Sequence, residues 1–155
     1  MLALVACAPG EERAIRTQLS DIAATLSVPA NDGDFGRLSR VASLRNVLAP
    51  DVQVLTSVSA RPGGQMPSEI SGRDGVLAFV GRWSPPPGGV TVEFVDVQVT
   101  LDDSRMHAQV YCTVQVTSGT AEKPVVDARE LTIGFSRIDG EWLIASIRPE
   151  ETLSR

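Results

Sequence analysis

Residues 90–117 read VTVEFVDVQVTLDDSRMHAQVYCTVQVT, two long runs in which apolar residues occupy almost every second position. Successive side chains of a strand point to opposite sides, so this alternation is typical of strands that bury one face. The polar segment Asp102–Arg105 separates the two runs and is rich in turn-forming residues. The pattern therefore predicts two antiparallel strands, 90–101 and 106–117, joined by a tight turn.

Two further strands continue the same meander. Segments 125–137 and 142–148 are rich in β-branched residues, and Asp139-Gly140 lies between them. An Asp-Gly pair between two apolar runs is a strong hairpin signal, because both residues accept the left-handed backbone of a two-residue turn. The C-terminal half is therefore predicted to form a four-strand antiparallel meander.

The N-terminal half carries helical periodicity instead. Apolar residues at steps of three or four lie on one face of a helix, and two segments show this spacing. They are Ile15, Leu19, Ile22 and Leu26 within a helix over 11–27, and Leu38, Val41, Leu44 and Leu48 within a second helix that Pro50 ends. A strand over 52–59, a Pro- and Gly-rich loop over 60–72 and a third helix over 73–83 follow. Helices first and an antiparallel sheet last is the order of an α+β fold.

Three short motifs carry a family resemblance: Leu48-Ala49-Pro50-Asp51-Val52, Gly72-Arg73-Asp74-Gly75 and the hairpin at 138–144. In the order and spacing of these motifs the chain resembles the nuclear-transport-factor-2-like superfamily, which includes SnoaL-like polyketide cyclases and ketosteroid isomerases. The resemblance covers residues 11–150 and leaves 151–155 as a tail. It implies a cone-shaped, curved antiparallel sheet wrapped around three helices, with a pocket inside the cone. It also implies that two copies pair through the outer face of the sheet.

The composition of the chain excludes several classes of function. The 155 residues fit one globular domain, with 43% hydrophobic and 21% charged residues. A net charge of −5 argues against a nucleic-acid partner, since that partner requires a basic surface. Cys7 and Cys112 are too few and too far apart for a zinc site, so we expect neither a metal nor a cofactor. Cys112 is predicted to be a buried, unreactive thiol.

The first ten residues are predicted to be a lipid-anchor signal and spacer. Leu4-Val5-Ala6-Cys7 resembles the signal of bacterial lipoproteins, in which the cysteine is lipidated and the residues before it are removed. A secretory signal also carries a basic segment and a longer apolar run, and no Lys or Arg precedes Cys7. Two interpretations stay open. The protein is anchored in the cell envelope or periplasm, its only membrane contact being the lipid on Cys7 and its true start lying upstream, or it is cytoplasmic with a frayed N-terminus.

Strand parity predicts one charged cluster on the apolar, concave face of the sheet. A tight turn at 102–105 sets Glu93 opposite Val114, and the loop at 118–124 sets Arg129 opposite Val114 from the other side. Asp127 lies one pleat further along the same face. The same registers pair Leu101 with Met106, Val95 with Cys112, and Cys112 with Leu131. A few polar groups in an apolar concavity describe a ligand site, so Glu93, Asp127 and Arg129 are the predicted ligand-binding residues. The alternative is a structural ion pair at the rim.

The opposite, polar face holds the side chains that acid–base catalysis most often uses. By parity the only His, His107, and the only Tyr, Tyr111, point outwards. The resemblance to ketosteroid isomerases implies a Tyr on the first helix and carboxylates in the pocket, but the first helix has no Tyr and segment 52–59 has no Asp or Glu. Two interpretations of this polar face stay open: it is solvent-exposed surface, or Gln109, Tyr111 and Thr113 form a homodimer surface there.

For the last strand, the sequence allows two alternatives for which residues point to the concave side. A two-residue turn at Asp139-Gly140 puts Trp142, Ile144, Ser146 and Arg148 on the concave side, and a bulged turn puts Leu143, Ala145 and Ile147 there instead.

Two functions follow from these patterns. The first is an exported, lipid-anchored, non-catalytic domain that binds a small, mostly apolar ligand or a partner protein. The alternative is a small SnoaL-like acid–base enzyme (isomerase, cyclase or epoxide-hydrolase-like) in which Glu93, Asp127 and Arg129 act together. Asp127-Ala128-Arg129 with Glu93 loosely resembles the Asp-Arg-Asp arrangement of limonene epoxide hydrolases.

Overall fold

The computed structural model describes residues 9–56 and 69–150. Its elements are, in chain order, α1 (Pro9–Leu26), α2 (Asp34–Arg45), β1 (Leu48–Leu55), β2 (Glu69–Ser71), α3 (Arg73–Arg82), β3 (Thr91–Leu101), β4 (His107–Gly119), β5 (Pro124–Ile138) and β6 (Glu141–Pro149). Cys7, the predicted lipidation site, lies outside the described residues. Among the described helices, none has the length and apolar character needed to span a membrane.

The six strands form one curved, unclosed sheet in the order β2-β1-β6-β5-β4-β3. Neighbouring strands are antiparallel except β1 and β6, which are parallel. Helices and sheet share one hydrophobic core, in which Ile15 of α1, Leu77 of α3 and Val110 of β4 are buried. The α+β cone predicted from the sequence is therefore confirmed, and so is the four-strand meander from β3 to β6.

The long first helix follows its predicted stripe. Ile15, Leu19 and Ile22 are almost completely buried, because their spacing keeps them on the face turned towards the sheet. Glu11 and Glu12 occupy the first turn, where negative charges interact favourably with the helix dipole. This helix packs along β3, the strand at one edge of the sheet.

The elements between α1 and α3 differ from the prediction. The second helix ends at Arg45, Leu48 already belongs to β1, and Leu38 is exposed. Pro50 does not end a helix but lies inside β1, at a point where the register with β6 shifts and β2 does not yet pair. A proline is tolerated there because no ladder hydrogen bond is lost. The strand β2 lies in the segment predicted to be a loop, and the predicted strand residues 57–59 lie outside the described ones.

A buried ion pair fixes the connection between α1 and α2. Arg40 of α2 is only 7% exposed, and its Nη2 lies 2.6 Å from Oδ2 of Asp32, whose side chain is 14% exposed. The Asp32 carboxylate approaches the backbone of Gly36 so closely that a Cβ at Gly36 would overlap it. The loop, the start of α2 and the buried guanidinium are therefore held as one unit.

Replacing Asp32 by Asn leaves the guanidinium of Arg40 buried without its counter-charge. We expect the free energy of unfolding to fall by about 3 kcal/mol, which urea denaturation followed by circular dichroism measures. Asp34→Asn is the matched control, because the Asp34 carboxylate is 93% exposed and 3.8 Å from Arg37. It should leave the stability unchanged. Equal stability of the two variants would contradict a structural role for the Asp32–Arg40 pair.

Candidate functional site

A bulge in β3 decides which of its side chains face the core. Phe94 is opposite Val114 before the bulge, and Val99 is opposite Val110 after it. Asp96 lies between these pairs with a positive φ of 53°, and β3 contributes one residue more than β4 at this point. One extra residue reverses which side chains of a strand face the core. Before Asp96 the even-numbered residues face it, and after Asp96 the odd-numbered residues do.

Three predicted pairings of β3 with β4 are wrong, because of this bulge and because the turn between the strands is longer than predicted. Glu93 is opposite Gln115 rather than Val114, and Val95 is opposite Thr113 rather than Cys112. Leu101 is opposite Ala108 rather than Met106, because the Asp102 carboxylate accepts hydrogen bonds from the N–H groups of Met106 and His107 and lengthens the turn. Met106 is exposed as a result.

The three predicted ligand-binding residues do not form one cluster. The register of β4 with β5 is the predicted one, with Cys112 opposite Leu131 and Val114 opposite Arg129, so Arg129 and Asp127 share the concave face. Their side chains lie 3.3 Å apart, from Nε to Oδ2, and are 52% and 63% exposed. Glu93 lies on the other face of the sheet, which corrects the expectation that it meets Arg129. A ligand-binding role for Asp127 and Arg129 stays a prediction.

A double-mutant cycle tests this separation. We expect Glu93→Gln and Arg129→Leu to change the free energy of unfolding additively, within about 0.3 kcal/mol, because the two side chains are on opposite faces. The cycle of Asp127→Asn with Arg129→Leu is the positive comparison and should show a weak coupling of about 0.5 kcal/mol, since both groups are exposed. A clear coupling of Glu93 with Arg129 would refute the register given above.

The last strand, β6, begins as the two-residue turn predicts and ends as the bulged alternative predicts. Asp139 and Gly140 form a two-residue turn with positive φ values, which places Trp142 and Ile144 on the core side. The register then shifts between Ile144, opposite Phe135, and Ser146, opposite Gly134. Arg148 ends opposite Thr132 on the outer face and does not join Arg129.

One polar cluster was missed by the sequence analysis. Nη1 of Arg137 lies 2.9 Å from Oε1 of Glu11, and the guanidinium lies 5.9 Å from the ring centre of Trp142. Arg137, Ile133 and Phe135 are alternate residues of β5 and share one face of the sheet. The sequence therefore indicated that Arg137 faces inwards. The cluster ties the start of α1 to the β5–β6 hairpin, and this role is structural.

A groove lies between α1 and β3, here named the α1–β3 groove. It has a volume of about 460 Å³, within the range of small-molecule sites. Both apolar and polar side chains line it, and Ser20 and Glu93 lie along its length. The lining residues are Arg16, Leu19, Ser20, Ala23, Ala24, Ser27, Thr91, Val92, Glu93, Phe94, Val95 and Val97. Glu93 is the only predicted site residue that lines it.

Arg16 of α1 and Ser27, the residue that follows α1, bind the edge of β3 at this groove. The Ser27 hydroxyl accepts a hydrogen bond from the N–H of Val92 at 2.9 Å, and Nη2 of Arg16 donates to the carbonyl of Val97 at 2.9 Å. Nε of Arg16 also donates to Glu12, one turn earlier on α1. The sequence did signal this site: Phe94 and Val95 are adjacent apolar residues that break the alternation of β3 and mark the bulge.

His107, Tyr111 and Cys112 do not line the groove. His107 and Tyr111 are on the outer face, as predicted, and Nδ1 of His107 is 3.3 Å from the Ser136 hydroxyl. Cys112 is buried on the concave side, and this burial raises the pKa of its thiol to about 11, which keeps it protonated at neutral pH. Within residues 9–56 and 69–150, no three His, Cys, Asp or Glu side chains are grouped so that they could hold a metal ion.

Comparison with known proteins now identifies the family. The SnoaL-like domain matches residues 28–148 of this chain. The chain belongs to the SnoaL-like family. No curated protein matches it.

Solved structures share the fold of this SnoaL-like domain at low sequence identity. Aln2 from a Streptomyces species is 13% identical, with a TM-score of 0.67 over 92% of this chain and 91% of that one. An NTF2-like protein with a cystatin-like fold from Novosphingobium aromaticivorans is 12% identical, with a TM-score of 0.65 over 90% and 80%. A protein provisionally assigned as a scytalone dehydratase from the same species is 15% identical, with a TM-score of 0.62 over 92% and 85%. These likenesses concern the fold alone.

Proposed function

We propose that this SnoaL-like domain is a non-catalytic binding domain for a small, mostly apolar ligand, which occupies the α1–β3 groove. The observation that carries the proposal is the groove itself: a concavity of about 460 Å³ whose lining combines apolar side chains with several polar ones. That combination is the general description of a small-molecule site, in which apolar walls supply affinity and polar groups fix orientation.

The placement of the charged side chains favours binding over catalysis. The enzymatic alternative requires Glu93, Asp127 and Arg129 to act on one substrate, but Glu93 is on the opposite face of the sheet from the other two. The two most buried carboxylates in the described ion pairs, Asp32 and Glu11, are engaged by Arg40 and Arg137. General acid–base catalysis needs such groups within hydrogen-bond reach of the substrate, and the groove offers only Glu93.

Filling the groove tests the proposal. We expect N-phenyl-1-naphthylamine, a neutral fluorescent probe, to bind saturably, and the Ala24→Leu substitution to raise its Kd at least about tenfold, because the larger side chain occupies the groove. Ala14→Leu is the matched control, since Ala14 and Ala24 are both exposed alanines of α1 and Ala14 does not line the groove. Fluorescence titration gives both constants. Probe binding that Ala24→Leu leaves unchanged would place the ligand elsewhere and refute the proposal.

We further propose that the protein is exported, lipidated at Cys7 and paired as a homodimer through the outer sheet face. The lipoprotein-like segment Leu4-Val5-Ala6-Cys7 supports the anchor. Tyr111 supports the dimer, because a large ring that is 47% exposed at the centre of a polar sheet face is typical of an interface. Gln109 and Thr113 flank it on the same face of β4.

One native mass spectrum of the full chain, extracted from bacterial membranes, tests both parts. We expect a dimer mass and a lipid adduct; Cys7→Ser should remove the adduct and release the protein from the membrane fraction. Tyr111→Asp should give a monomer, because it adds charge next to Glu130 and Asp96, which line the same cleft as Tyr111. Met106→Asp, at a similarly exposed apolar position in the neighbouring turn, should stay dimeric. A soluble wild-type monomer without an adduct would contradict both parts.

A further inference from the structure

The α1–β3 groove extends over the edge of β3 to the outer face of the sheet. Val92 is buried and Phe94 packs against the core, whereas Thr91, Glu93 and Val95 alternate with them and point to the opposite side. Residues of both sets line the groove. The groove therefore has an inner part between helix and strand and an outer rim, and Glu93 lies between Thr91 and Val95 on that rim.

The two charged side chains that line the groove differ in their partners. Nη2 of Arg16 lies 3.0 Å from Oε1 of Glu12 and donates to the Val97 carbonyl at 2.9 Å, so the charge of Arg16 is balanced within α1. Within residues 9–56 and 69–150, no side chain forms a hydrogen bond or an ion pair with the Glu93 carboxylate. The rim therefore carries one negative charge that the described part of the chain does not balance.

The sheet around Glu93 is uncharged. Gln115 is its direct cross-strand neighbour, and Ala128 lies opposite Gln115 on the next strand. A carboxylate in such surroundings attracts a cation and repels an anion, and this effect grows as an apolar ligand displaces water and lowers the local dielectric constant. The rim therefore favours a ligand with a positively charged end.

The inner part of the groove determines what is attached to that charged end. From Glu93 to Val97 the strand extends about 13 Å. Leu19 and Ala23 line the groove from α1, together with the neutral hydroxyl of Ser20. A second charged group placed here would lack a counter-charge, so the cost of removing it from water would not be offset. This part of the groove therefore suits an uncharged, apolar tail.

We propose that the ligand of the α1–β3 groove is an amphiphilic monoamine. Its protonated amino group pairs with the Glu93 carboxylate at the rim, where water still reaches both groups. Its apolar tail lies in the inner part of the groove and points towards Val97. This inference rests on the proposed function and adds the charge and the chemical class of the ligand.

Two probes with the same tail test the charged end. Octylammonium carries the positive charge, and 1-octanol carries a neutral hydroxyl in its place. Transfer out of water alone favours the alcohol, because a charged head group costs more to desolvate. We nevertheless expect octylammonium to bind the wild-type protein at least about threefold more tightly at low ionic strength, a factor of about 0.7 kcal/mol, which isothermal titration calorimetry measures. Equal Kd values, or tighter binding of octanol, would overturn the inference.

A charge-matched pair of variants locates the effect at the rim. Glu93→Gln should abolish the preference for octylammonium, because it removes the unbalanced charge. Glu141→Gln is the control: it changes the net charge of the chain equally, and Glu141 is exposed and does not line the groove. It should keep the preference. An undiminished preference in Glu93→Gln, or an equal loss in both variants, would overturn the inference.

A dication separates this site from general attraction to an acidic protein. The chain has a net charge of −5, so unspecific attraction favours octane-1,8-diammonium over octylammonium. We expect the opposite order, with the diammonium at least about threefold weaker in the same calorimetric titration, because its second charge would lie beside Leu19 and Ala23. Tighter binding of the diammonium would refute an apolar tail in the inner part of the groove.

Failure of this inference is distinguishable from failure of the proposed function. If N-phenyl-1-naphthylamine binds in the groove and octylammonium has no advantage over octanol, the binding domain stands and only the ligand class is wrong. If neither the naphthylamine nor the octyl compounds bind, the proposed function is wrong as well. Because the comparisons of octylammonium with octanol and with the diammonium use the wild-type protein, they hold even if Glu93→Gln does not fold.

Discussion

The exposed edge of β3 is the constraint on which the site depends. An edge strand presents unpaired N–H and C=O groups that must be covered or hydrated. In this fold α1 covers them, because its apolar stripe of Ile15, Leu19 and Ile22 fixes the helix against the core while Ser27 and Arg16 reach the strand. The same packing that completes the hydrophobic core therefore creates a groove wherever the helix carries a small side chain.

The bulge at Asp96 changes the chemistry of the two sheet faces. With strict alternation Glu93 would be a charge among aliphatic side chains on the concave face, next to Arg129. One extra residue in β3 sends Glu93 to the outer face and turns Val92 and Phe94 towards the core and α1. The concave face thereby lacks the carboxylate that parity alone would place there, and the helix–strand groove gains the side chains of Val92 and Phe94. A single backbone irregularity thus decides which face of the sheet carries the charge of Glu93.

The sequence predicted those parts of the fold that depend on periodicity. On β4 the alternating apolar residues Ala108, Val110 and Cys112 can face the core in only one way. Matching this apolar face to that of β5 therefore predicted their register correctly. Matching apolar faces did not place the bulge, because strand parity assumes one residue per pleat; its signal was the break of alternation at Phe94-Val95. Pairs that depend on position in space rather than spacing were also missed, such as Asp32 with Arg40 and Glu11 with Arg137.

The part of the β3 edge that the chain does not bind is tolerated because water can reach it. Among the described residues, none donates to or accepts from the outward main-chain groups of Phe94, Val99 or Leu101. Hydration satisfies such groups, so the cost of a buried, unpaired polar group does not arise. The groove beside Phe94 exists because the facing residues of α1, Ala23 and Ala24, are small. A larger side chain at either position would fill it.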